Sequence, residues 1–154
     1  MDTKELIGVI GKAGKVQRTN EFECPEIPGF WVTIAYASKF VVNQIREESE
    51  EVRSNARTKE REVHYNEDKI RDQYSKRIII GWRGLTVEAL KGLLPGLESS
   101  DADKNKNVEF SSAIAKALMD NSLEFEDWVF IVCQTLRNFK HVVDKKTEEF
   151  ENLD

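Results

Sequence analysis

The sequence predicts a mainly α (α+β) fold: a helical domain with a short N-terminal β-hairpin and a charged helical arm. Three observations carry this expectation. Capped helical segments follow one another from Ser38 onward, and only one pair of stretches reads convincingly as strands. Phe125, Trp128, Val129, Val132, Leu136 and Phe139 recur at spacings of three and four, the strongest helical periodicity in the chain. The 154 residues suit one domain, divided as a flexible N-terminal arm over residues 1–19, a single domain over residues 20–140 and a polar C-terminal tail over residues 141–154.

The first nineteen residues interleave Gly8, Gly11 and Gly14 with Ile7, Val9, Ile10 and Val16, which reads as a loosely structured lead-in. The glycines followed by Lys15 do not make a phosphate loop. Val9 stands where its first glycine belongs, and Val16 stands in place of the magnesium-binding hydroxyl. The hairpin comes next. Glu21-Phe22-Glu23-Cys24 alternates polar and apolar, Pro25-Glu26-Ile27-Pro28-Gly29 is dense in turn formers, and residues 30–36 are β-branched and aromatic. Phe30, Val32, Ile34 and Tyr36 share the face expected to meet a helical layer, while the face bearing Trp31 stays partly open.

Ser38 is placed to cap a helix starting at Lys39, with Phe40, Val41, Gln44, Ile45 and Val52 near one stripe. Between residues 46 and 77 the charges alternate in sign and apolar residues thin out. Two readings stay open: a solvated helix held by i,i+4 ion pairs, or a helical arm projecting from the body. A second helix is expected to resume near Glu67.

Ile78-Ile79-Ile80-Gly81-Trp82-Arg83-Gly84 is the most distinctive stretch. It predicts a buried segment that turns sharply, with Gly81 and Gly84 supplying positive φ or close backbone approach and Trp82 anchoring the turn. Thr86 then caps a short helix whose Leu90, Leu93 and Leu94 face inward until Pro95-Gly96 ends it. The polar loop at residues 99–107 places oxygen-bearing side chains as a calcium loop would from Asp101. Lys106 nevertheless sits where the sharp turn needs glycine, and Ser112 replaces the bidentate glutamate, so no metal is assigned. Ser111 caps a helix with Ile114 and Leu118 inward, and Asn121-Ser122 breaks it to start the last helix. Trp128 on that helix is expected to be a second buried anchor.

Composition narrows the functional classes. With 40% hydrophobic and 33% charged residues the chain can fill a core, which excludes global disorder. A formal net charge of −5 and the lack of a basic patch argue against nucleic acid, and no apolar run is long enough for a membrane span. Two distant cysteines without metal spacing suit a reducing cytoplasm. No nucleophile stands at motif spacing from a base, and His64 and His141 lack motif partners, so the chain reads as non-enzymatic, without cofactor or metal. Val52, Val63 and Phe150, lone apolar residues in charged surroundings, are the candidate partner contacts. Gly81, Trp82, Gly84 and Trp128 are the candidate structural motif.

The order of these stretches resembles the tail assembly chaperones of long-tailed bacteriophages. The likeness rests on Pro28-Gly29-Phe30, the charged segment after Ser38, and Ile80-Gly81-Trp82-Arg83-Gly84-Leu85-Thr86. It continues through Val108-Glu109-Phe110-Ser111 and the periodic helix that ends at Phe139, so residues 20–140 would be the chaperone-like domain. The resemblance implies a protein that coats the tape measure protein, helps recruit tail tube subunits, works in the host cell cytoplasm and is missing from the mature virion. Self-association is left open. The competing expectation is a generic helical adaptor or antitoxin-like protein that binds a single folded partner.

Overall fold

The computed structural model describes residues 1–140. In chain order the elements are α1 (Thr3–Ala13), β1 (Thr19–Glu23), β2 (Trp31–Ala35), α2 (Lys39–Ser49), β3 (Glu50–Ser54) and β4 (Arg61–Tyr65). There follow α3 (Glu67–Arg77), β5 (Ile79–Arg83), a 3-10 turn (Ala89–Gly92), α4 (Ser112–Asn121) and α5 (Leu123–Gln134). The fold is α+β, with one antiparallel sheet ordered β1-β2-β5 and a separate antiparallel pair β3-β4. This corrects the mainly helical expectation with its single hairpin.

The predicted hairpin is the β1-β2 pair, registered so that Phe22 opposes Val32 and Asn20 opposes Ile34. It gains a third strand, because β5 pairs with β2 on its other side. A two-stranded ribbon is marginal in water, and a third strand with a buried face removes that weakness. Phe30, Val32 and Ile34 are fully buried, in one cluster with Ile78, Ile79, Phe125, Val129, Cys133 and Phe139. On the opposite, half-open face Arg83 reaches over the Trp31 ring at 5.2 Å and holds Glu21 at 2.6 Å.

The charged helical arm is absent among the described residues; the segment folds back on itself as β3 and β4. The local reason is a period of two. Val63 and Tyr65 alternate with Glu62 and His64, and Asn55 turns the chain by accepting the Arg57 N–H and donating to Glu62. Lys59 takes a positive φ of 56° in the same turn. Charge alternation is compatible with either conformation, so it could not decide between them.

The predicted caps Ser38 and Ser111 accept an N–H of the first turn of α2 and α4, and Ser122, where the last helix is expected to start, does the same for α5. Helix α3 starts where expected, capped by Asn66, with Glu67 and Asp68 at its N-terminus and Lys76 and Arg77 at its C-terminus. Its charges pair between helices as well as along its own surface. Arg71 meets Glu126 of α5 at 2.5 Å, and Lys116 of α4 meets Asp68 at 2.6 Å. Those bridges, with buried Tyr74, seat a polar helix on the core.

Instead of a buried turn, Ile78 closes α3 as its C-cap and Ile79 and Ile80 open β5; Ile78 and Ile79 are buried, and Ile80 is exposed. Gly81 lies inside the strand without positive φ, whereas Gly84 has φ 77°. Ile114 and Leu136, expected inward, are exposed, and the inner face of α4 is Ala115, Leu118 and Met119. The N-terminal segment, expected to be loose, is helical over Thr3–Ala13 and carries no buried residue.

Candidate functional site

Helix α1 is the most exposed apolar element among the described residues. Asp2 caps it by accepting the Glu5 N–H at 2.7 Å, and the Gly14 N–H closes the other end on Ile10. At 100° per residue, Leu6, Ile7, Val9, Ile10 and Ala13 fall on one broad face, with Lys4, Glu5 and Lys12 opposite. Leu6, Ile7, Val9 and Ile10 are 48–65% exposed. A surface helix of a folded domain normally turns such a stripe inward; here every residue of the stripe is exposed. The sequence carried the signal in that spacing and in Asp2, but the three interspersed glycines masked it.

The second apolar surface is the β3-β4 hairpin. Val52 and Val63, each isolated in the sequence, are direct cross-strand partners. They are 61% and 52% exposed, and Tyr65, 51% exposed and two positions along β4, shares their face. Tyr65 was not singled out from the sequence. The opposite face is polar: Glu51 contacts Arg53, Asn66 and Lys69, and Glu62 contacts Asn55 and His64. Hydrogen bonds from Asn66 to Glu51 and from Asn55 to Glu62 hold both carboxyls below the usual carboxylate range. Phe150, the third candidate contact, lies outside the described residues, as do His141 and the rest of the tail.

The candidate structural motif is brought together only in part. Trp82 is half-buried, edge-on to Phe30 at 5.6 Å and to Phe110 at 5.0 Å, and its Nε1 donates to the Val108 carbonyl at 2.9 Å. It therefore joins the sheet to the segment that leads into α4. Gly84 lies against Gly29, so the turn before β2 and the turn after β5 touch backbone to backbone. Gly81 has open space around it. Trp128 stands apart on α5, half-buried, tilted against Phe125 at 6.1 Å.

The chemistry these residues can perform is binding. In the loop at residues 99–107, Lys106 neutralises Asp103 at 2.6 Å and Lys104 approaches Asp101 at 3.9 Å, so lysines occupy the field a cation would need. Among the described residues no group of three His, Cys, Asp or Glu side chains could hold a metal ion. Cys24 and Cys133 are buried, and burial pushes both thiols up, Cys133 to about 12, which is the reverse of nucleophile activation. Among the described residues no helix is long and apolar enough to cross a membrane. Neither these residues nor the comparisons with known proteins point to an enzyme: no family model matches the chain, no curated protein does, and no solved structure does.

Proposed function

We propose that the protein is a non-enzymatic assembly factor that presents the apolar face of α1 to a helical partner. One observation carries the reading: α1 is an 11-residue amphipathic helix with no buried residue. A helix that short is marginal on its own in water. Docking it against an apolar helix or groove supplies what its own core does not. Full burial of each aliphatic side chain contributes about 1.5–3 kcal/mol before the cost of association. A single contact of this size is modest, and many copies along one extended partner gain strength by repetition.

The resemblance in motif order implies a tape measure protein as the extended partner and the tail tube protein as the recruited subunit. The chain then works in the host cytoplasm and leaves before the virion is finished. Val52 and Val63 form the second contact surface, and Phe150 in the tail remains a candidate for a third.

Co-expression tests this directly. A tape measure protein co-expressed with this chain should stay soluble in its presence and co-purify with it. The double variant Ile7→Asp and Ile10→Asp should lose co-purification while melting at the same temperature, since neither side chain is buried. If the tape measure protein aggregates equally with and without the chain, the proposal fails. The adaptor with a single folded partner then takes its place.

A further inference from the structure

The hairpin carries information that α1 does not. Beyond the strands, the Asn66 N–H donates to the Ser49 carbonyl and the Asn55 N–H to the Glu60 carbonyl. With the register Val52 to Val63, this sets the alternation of an antiparallel ladder. Positions 51 and 53 exchange bonds with positions 64 and 62, so the backbone N–H and C=O groups of Arg61, Val63 and Tyr65 point away from β3. All five residues of β4 are exposed, whereas β3 has Glu51 half-buried and tied to Asn66 and Lys69. The outer edge of β4 is thus a row of backbone donors and acceptors beside an apolar Val63-Tyr65 face, the arrangement that accepts another strand.

We infer that β4 pairs edge to edge with β4 of a second copy, antiparallel and centred on Val63. The facing side chains select this register. With Val63 opposite its copy, Glu62 faces His64 of the second copy and Arg61 faces Tyr65. The carboxylate and imidazole already meet at 3.3 Å within one strand, and a guanidinium beside a tyrosine ring is a favourable cation–π pair. Sliding by one ladder step in either direction keeps the outward backbone groups aligned but sets Glu62 opposite Glu62, or His64 opposite His64. The chosen register also gives the longest overlap. Two marginal two-stranded ribbons become one four-stranded sheet, with Val52 and Val63 of both copies in a continuous apolar row. This pairing goes beyond the reading of α1 as a docking helix and stands without it.

Cysteine cross-linking of the full chain tests the pairing, because Cys24 and Cys133 are buried and give little background. Across such a ladder the two Val63 Cα atoms would lie about 5.5 Å apart, within disulfide reach, while the two Val52 positions would be separated by three strand spacings. Val63→Cys should oxidise to a covalent dimer and Val52→Cys should not. Sedimentation of Glu62→Lys should show about tenfold weaker self-association, since symmetry removes the contact between Glu62 and the imidazole twice. The double variant Glu62→Lys with His64→Glu should restore it, which a merely misfolded hairpin would not do. Cross-linking at Val52 alone, equal cross-linking at both positions, or a monomer at every concentration without cross-linking would each overturn the inference.

Discussion

The Gly84 Cα faces the Gly29 carbonyl so closely that a Cβ built at Gly84 would overlap that oxygen. Both residues also have positive φ, 87° at Gly29 and 77° at Gly84. The turn before β2 and the turn after β5 therefore close on each other through two glycines.

Alanine substitutions should separate strain from contact. Gly84→Ala adds a steric clash with backbone to the cost of a left-handed φ, and it should lower stability by more than about 3 kcal/mol. Gly29→Ala has open space for its Cβ and bears only the backbone cost, about 1–2 kcal/mol. Gly81→Ala should change stability by less than about 1 kcal/mol, because Gly81 has neither constraint. Urea denaturation of the three variants checks the order, and a Gly81 variant as damaged as Gly84 would contradict it.

Trp82→Phe keeps a ring between Phe30 and Phe110 but removes the donor to the Val108 carbonyl. The expected loss is about 1–2 kcal/mol. Trp82→Ala also removes the aromatic contacts and should cost about 3 kcal/mol, toward the lower end for a core aromatic because the residue is half-buried. Equal losses in the two variants would mean that the hydrogen bond contributes everything and the ring nothing.

Ser49, at the junction of α2 and β3, is fully buried and its hydroxyl meets no partner among the described residues. A buried hydroxyl left without a hydrogen bond costs about 1–3 kcal/mol. Ser49→Ala should accordingly raise the melting temperature by a few degrees. A lower melting temperature would show that the hydroxyl is satisfied in solution.

Alkaline pH should destabilise the fold through three buried acids. Burial raises Tyr74 and Cys133 to about 12 and raises Cys24 above its ordinary value. In the unfolded chain these groups lose their protons from about pH 8.5 to 10, while the folded chain keeps them. The unfolded state then binds fewer protons, so stability falls as pH rises through that range toward 12. Denaturant midpoints measured from pH 8 to 11 should fall, and Cys133→Ala should flatten the decline relative to the native chain. A midpoint that is constant over that window would refute the assignment.

Much of the helical layer was legible because its signals are local. A serine before an apolar run satisfies orphan N–H groups within one turn, so the starts of α2, α4 and α5 needed no knowledge of the rest of the chain. The β1-β2 hairpin was legible for the same reason, its turn formers and β-branched residues being contiguous. Residues 50–65 were not. Their sign-alternating charges stabilise a helix through i,i+4 pairs or a hairpin through cross-strand pairs by similar small amounts. The cross-strand register from Glu50–Tyr65 to Ser54–Arg61, closed by the Asn55 turn, shows which was taken. The two lone valines were readable from the sequence as candidate contacts, but their common face and the participation of Tyr65 were not.

The sequence by itself determined where α2 to α5 begin, which residues of β2 point inward, and that no recognised catalytic or metal motif is present; each depends on neighbours within a few positions. Tertiary structure decided which glycine is indispensable, because the restriction at Gly84 comes from the carbonyl of distant Gly29. It decided that the charges of α3 serve α4 and α5, through Arg71 to Glu126 and Lys116 to Asp68. It also decided that the apolar face of α1 is left uncovered by the described residues. An amphipathic stripe states that a helix has an apolar side, but whether its own core can cover that side depends on how the rest of the chain fills the available contacts.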